Sequence, residues 1–105
     1  MNEERERFFS RLATIPGIRT MPSIGGWILC QVDQPAELAR KVNRRLDPGT
    51  ISVPRNVPGA VRVPVRDPKA NEKLFQTIRE LLVRKARLEY FEDLKTVPLE
   101  KAPLS

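Results

Sequence analysis

Histidine is absent from this sequence, and cysteine occurs once, as Cys30. The first absence excludes imidazole acid–base chemistry, histidine-activated serine or cysteine nucleophiles, and the common zinc ligand sets. The second excludes an intrachain disulfide. Cys30 lies in the apolar run Trp27-Ile28-Leu29-Cys30, the setting of a buried, inert thiol. Aromatic residues are few, and no aromatic pair of the kind displayed by RNA-recognition sheets is present. No apolar run approaches the ~18–20 residues a membrane-spanning helix requires. The segment Met1 to Arg7 is charged where a secretory leader would be basic and then apolar, so the expected location is cytoplasmic. Gly25-Gly26 is not followed by lysine and a hydroxyl residue at the head of a helix, which excludes that type of phosphate loop.

What the chain does hold is the composition of one folded domain. Its 105 residues suffice for a single core, with 40% hydrophobic and 30% charged side chains. The net charge of +6 rests mainly on arginine, which suits phosphate and carboxylate recognition.

Apolar spacing and breakers divide the chain into elements. Phe8, Phe9 and Leu12 give a helical face over Asn2 to Ala13, with Glu3, Glu4 and Glu6 at its positive end and Ile15-Pro16-Gly17 as its stop. An extended piece over Ile18 to Met21 and a loop over Pro22 to Gly26 lead into Trp27 to Val32, a central strand. Pro35 opens a second helix with Leu38, Val42 and Leu46 on its buried stripe, and Arg40, Lys41, Arg44 and Arg45 read as its solvated face. A short strand is expected over Thr50 to Val53. Ala60 to Val65 alternates, with Val61, Val63 and Val65 on one side and Arg62, Pro64 and Arg66 on the other. Pro64 cannot donate a ladder hydrogen bond, so this strand is an edge or ends early. Asp67-Pro68 caps and starts a last helix that carries Leu74, Phe75, Ile78, Leu81 and Leu82 on one face and continues to about Glu92. The expected fold is therefore α+β. It is a two-layer domain over residues 1–95, with a small, mainly antiparallel sheet of three to four strands, helices on one face and a long C-terminal helix. Residues 96–105 are expected to form an irregular tail.

From Phe8 to about Leu82 the sequence resembles the C-terminal small domain of fold-type-I pyridoxal-phosphate-dependent aminotransferases, most closely the histidinol-phosphate aminotransferase branch. The residues that carry the resemblance are Leu12 to Gly17, Pro22-Ser23 with Gly26-Trp27-Ile28-Leu29, Pro35 to Arg40, and Val61-Arg62-Val63-Pro64-Val65 followed by Pro68, Asn71 and Glu72. It implies that Arg62 occupies the position that pairs with a substrate α-carboxylate. The sequence departs from the family at Gly26 (asparagine there), Pro64 (a hydroxyl residue) and Arg66 (a small residue). It also lacks the large domain, which would supply the Schiff-base lysine and the cofactor's other ligands. No lysine of this chain sits in a matching context.

The resulting expectation is a module that is not catalytic alone and uses no cofactor or metal, with Arg62, Arg55 and Arg66 as candidate ligands for a small carboxylate or phosphate. The apolar C-terminal segment that includes Leu88, Phe91, Leu94, Val97, Leu99 and Leu104 is expected either to pack back onto the domain or to dock on a protein partner or a second copy. The alternative is the small-domain subunit of a split aminotransferase. Nucleic-acid binding driven by the positive charge is the least favoured reading, and no membrane association is expected.

Overall fold

The computed structural model describes the backbone of residues 3–22 and 25–96, with side chains through Tyr90 and at Glu92. The elements run α1 (Glu3–Ala13), β1 (Arg19–Met21), β2 (Trp27–Gln31), α2 (Pro35–Arg45), β3 (Ala60–Pro64) and α3 (Pro68–Thr96). The three strands form an antiparallel sheet in the order β1-β2-β3, and the fold is α+β.

Each boundary has a local cause. Glu3, Glu4 and Glu6 oppose the dipole at the start of α1, and Phe8 and Leu12 bury its inner face. The chain then reverses through Ile15-Pro16-Gly17-Ile18, where the Ile18 N–H donates to the Ile15 carbonyl at 3.2 Å. Pro16 supplies the fixed φ of the first turn position, and Gly17, at φ +88°, the left-handed second. Pro35 starts α2, which buries Leu38, Ala39 and Val42. Asp67 caps α3 by accepting from the Ala70 N–H at 2.7 Å, directly before Pro68.

The register of the sheet decides its two faces. Ile28 lies opposite Val63, and Cys30 opposite Val61. All four are fully buried, against Phe8, Leu12, Leu38, Val42, Leu74, Phe75 and Ile78 of the helices. On the other face Trp27 lies opposite Pro64, and Leu29 between Met21 and Arg62. These side chains are half-buried or exposed. Helices therefore cover one face only.

The expected strand over Thr50 to Val53 is not formed. Only Ser52 pairs, as an isolated bridge to Arg62. Ser52 exchanges both hydrogen bonds with Arg62, so the next hydrogen-bonded pairs of an antiparallel ladder would be Thr50 with Pro64 and Pro54 with Ala60, and each contains a proline with no N–H to donate. The Ile51 backbone groups point away from β3, where the Asn43 amide donates to the carbonyl at 2.9 Å and accepts the N–H at 2.9 Å. Ile51 is thereby held in the core at 2% exposure. Pro64 ends β3, as its missing donor requires.

A second amide joins the layers. Asn71, buried at the start of α3, accepts the Arg66 N–H at 2.8 Å and donates to the Arg66 carbonyl at 2.9 Å and to Glu4 Oε2 at 2.8 Å. Arg11 adds an ion pair with Glu72 at 2.8 Å and stacks 4.1 Å from the centroid of Phe75. Arg7 first, and Asn71 second, hold the Glu4 carboxyl below its ordinary range. With a depressed folded pKa, that link contributes above the ordinary value of 4.5 and is lost as pH falls through the folded one.

Leu82 is the last residue of α3 packed against the core. A helix of 29 residues spans about 43 Å at 1.5 Å per residue, so the turns after Leu82 extend past the core. Leu88 and Tyr90 on this projection are 60% and 61% exposed. The side chains of Phe91 and Leu94, and the whole of Val97, Leu99 and Leu104, lie outside the described residues. No described helix is long and apolar enough to cross a membrane.

Two outcomes follow for the core. Asn71→Ala leaves two backbone groups of Arg66 without their partner and cuts α3 from Glu4. It should cost about 1–3 kcal/mol in a urea melt. Burial pushes the Cys30 thiol up to about 12. Below the ordinary value of 9.0 the neutral thiol is free of penalty in both states, and between there and about 12 only the unfolded chain releases the proton. Native protein at pH 8 should therefore resist alkylation until denatured. Above pH 9 the wild type should lose stability faster than Cys30→Ala.

Candidate functional site

The uncovered sheet face presents one chemically distinctive pair. Period-two alternation puts Trp27 and Arg62 on the same side, and the pairing of Trp27 with Pro64 and of Leu29 with Arg62 makes them diagonal neighbours. The Arg62 guanidinium carbon lies 4.9 Å from the centroid of the indole. Trp27 is 39% exposed and forms the floor of the contact.

Arg62 is held from both sides of its backbone. Its residue pairs with Leu29 across β2, while its N–H donates to the Ser52 carbonyl at 2.7 Å and its carbonyl accepts from the Ser52 N–H at 3.3 Å. The side chain therefore leaves a fixed strand and is fixed again by the indole. Among the described residues it has no ion pair and no side-chain hydrogen bond. A guanidinium held over an indole without hydrogen bonds of its own keeps N–H donors for a carboxylate, which its planar fork can receive through two parallel hydrogen bonds.

The other two sequence candidates are placed elsewhere. Arg66 follows the end of β3 and is exposed. With Arg45, Thr50, Asn71 and Lys73 it lines a cavity of about 210 Å³ between the end of α2 and the start of α3. Neither Arg62 nor Arg55 lines that cavity. Arg55 is exposed on the loop that follows the Ser52 bridge. Of the acids next to these arginines in sequence, Asp67 caps α3 and Glu72 pairs with Arg11. Trp27 was legible in the sequence only as the start of the central strand. Its alternation with Ile28 and its pairing with the strand of Arg62 were the signal, but that signal needs the register.

A larger groove, about 550 Å³, lies between α2 and α3 and includes Asp33, Glu37, Leu38, Lys41, Leu82 and Lys85. Lys41 is ion-paired there with Glu37 at 3.0 Å, and that pairing holds the Glu37 carboxyl below its ordinary range. Among the described residues no group of three or more cysteine, aspartate or glutamate side chains could hold a metal ion.

Comparison with known protein families and with curated proteins finds no match for this sequence.

Trp27 is the sole tryptophan, so its emission reports on the pair directly. Arg62→Ala should shift the emission of Trp27 and lower stability by about 0.5–1 kcal/mol, the size of an exposed cation–π contact. A larger loss would mean that Arg62 supports the fold rather than a ligand.

Proposed function

We propose that this domain is a small-carboxylate-binding module without catalysis of its own, derived from an aminotransferase small domain, and that Arg62 on its Trp27 platform is the binding group. The observation that carries this reading is a guanidinium fixed in place by strand and indole yet left with an unused donor fork. A fork placed in advance loses little conformational freedom on binding, so even a small ligand gains from both hydrogen bonds.

The test is a titration of Trp27 fluorescence with succinate, acetate and inorganic phosphate. Dicarboxylate or monocarboxylate should change the emission saturably, and Arg62→Ala should abolish the response. Arg62→Lys keeps the charge without the planar fork and should weaken binding at least tenfold. A response that survives Arg62→Ala sinks the proposal.

A second reading has a specific observation behind it. The sheet face around Arg62 is uncovered and carries Met21, Leu29 and, beside the Ser52 bridge, Val53 at 41% exposure. A separately encoded large domain would cover that face and make Arg62 the carboxylate group of a split aminotransferase. Pull-down from the native host should then recover a pyridoxal-phosphate protein, and the purified chain alone should form no borohydride-reducible adduct at a specific lysine.

A further inference from the structure

The basic residues of α2 and those of distal α3 are far apart in sequence, and the fold brings them to one place. A groove of about 400 Å³ between the two helices is lined by Lys41, Arg44 and Arg45 on one side and Arg84 and Lys85 on the other, with Leu81 and Leu88 beneath. A second groove of about 540 Å³ along the outer side of α3 shares Arg84 and Leu88 and adds Arg79 and Arg87. Around the two grooves stand seven basic side chains and two acidic ones, Glu37 and Glu80. This excess of five is nearly the whole net charge of +6.

Internal pairing consumes little of it. Glu37 pairs with Lys41 at 3.0 Å, and Glu80 with Arg45 at 3.1 Å. Arg44, Arg79, Arg84, Lys85 and Arg87 form no ion pair among the described residues. Leu81 and Leu88 are two turns apart on α3, about 10 Å at the helical rise. Leu81 is half-buried and Leu88 is 60% exposed, where α3 leaves the body of the domain.

We propose that this basic, leucine-floored groove between α2 and distal α3 docks an acidic amphipathic helix of a partner protein. An apolar floor with heptad spacing suits the i, i+3/i+4, i+7 stripe of a third helix, and the flanking guanidinium groups suit carboxylates on either side of that stripe. Charge complementarity selects against a second copy, whose matching face carries the same excess of positive charge. A nucleic-acid backbone would satisfy the arginines but leave the leucine floor unused. The surface is separate from Arg62 and does not depend on the carboxylate reading.

Fluorescence anisotropy on the full chain tests it with a labelled synthetic helix that carries leucine at heptad a and d positions and glutamate at e and g. The controls are a scrambled peptide of identical composition, a 20-nucleotide single-stranded RNA and a DNA duplex. The patterned peptide should bind at least tenfold more tightly than every control at 150 mM salt. Arg84→Glu with Lys85→Glu, and separately Leu88→Ser, should each weaken it at least tenfold with unchanged melting temperature, while Arg62→Ala leaves it unaltered. Equal binding of the scrambled peptide reduces the surface to bulk charge and overturns the proposal. So does tighter binding of either nucleic acid, or no peptide binding at all. Arg44→Glu, at an exposed position of the same groove, serves if the double reversal fails to fold.

Discussion

The antiparallel register of β2 against β3 is the constraint from which both the core and the candidate site follow. With Ile28 opposite Val63 and Cys30 opposite Val61, the apolar set meets the helices and Arg62 meets Trp27 outside. A slip of one residue would exchange the faces, sending Arg62 under the helices and Val61 and Val63 into water. Burying two valine side chains is worth roughly 3–6 kcal/mol, and an unpaired buried guanidinium would cost several more. The margin is large against the stability of a small domain, so the register and the placement of Arg62 are specified by the same energy.

Two asparagines extend that control into the loops. Asn43 and Asn71 each bind both the N–H and the carbonyl of one residue, Ile51 and Arg66 respectively. Each side-chain amide thus stands in for a strand neighbour, just where the chain crosses between sheet and helices. Asn43 brings Ile51 into the core and sets Ser52 against Arg62. Asn71 fixes the start of α3 relative to β3 and, through Glu4, to α1. The sheet can remain three-stranded because these amides satisfy groups that a fourth strand would otherwise have to meet.

Local signals made most of the fold legible in the sequence. The helix starts at Pro35 and Asp67-Pro68, the turn at Pro16-Gly17 and the alternation of Val61 and Val63 are all determined by neighbours a few residues away. The strand expected at Thr50 to Val53 stops at one bridge because its register sets Thr50 against Pro64 and Pro54 against Ala60, a pairing that no propensity encodes. The candidate site was legible only in part for the same reason. Arg62 could be picked out and its face assigned, but its contact with Trp27 depends on strand register. Arg55 and Arg66 looked like its companions because they lie near it in sequence. The chain leaves the sheet after Pro64, however, and carries Arg66 to the cavity at the start of α3.

The same distinction between sequence distance and spatial distance extends the reading of the basic run on α2. Taken alone, Arg40, Lys41, Arg44 and Arg45 are an ordinary solvated helix face, a sufficient account for charges that have only water to meet. Packing α2 against α3 changes the account, because Arg84 and Lys85 then face the same groove. The seven like charges gathered around this groove and the one adjoining it raise one another's electrostatic energy, at about 1 kcal/mol per pair at 4 Å even in bulk water and less at wider spacing with salt present. Only two of the seven have an acidic partner among the described residues. An external anion would relieve that repulsion and would also cover Leu88. Charge and exposed apolar area thus coincide on the part of α3 that contributes nothing to the core. The fold tolerates the arrangement there because the helix is already secured by Leu74, Phe75 and Ile78.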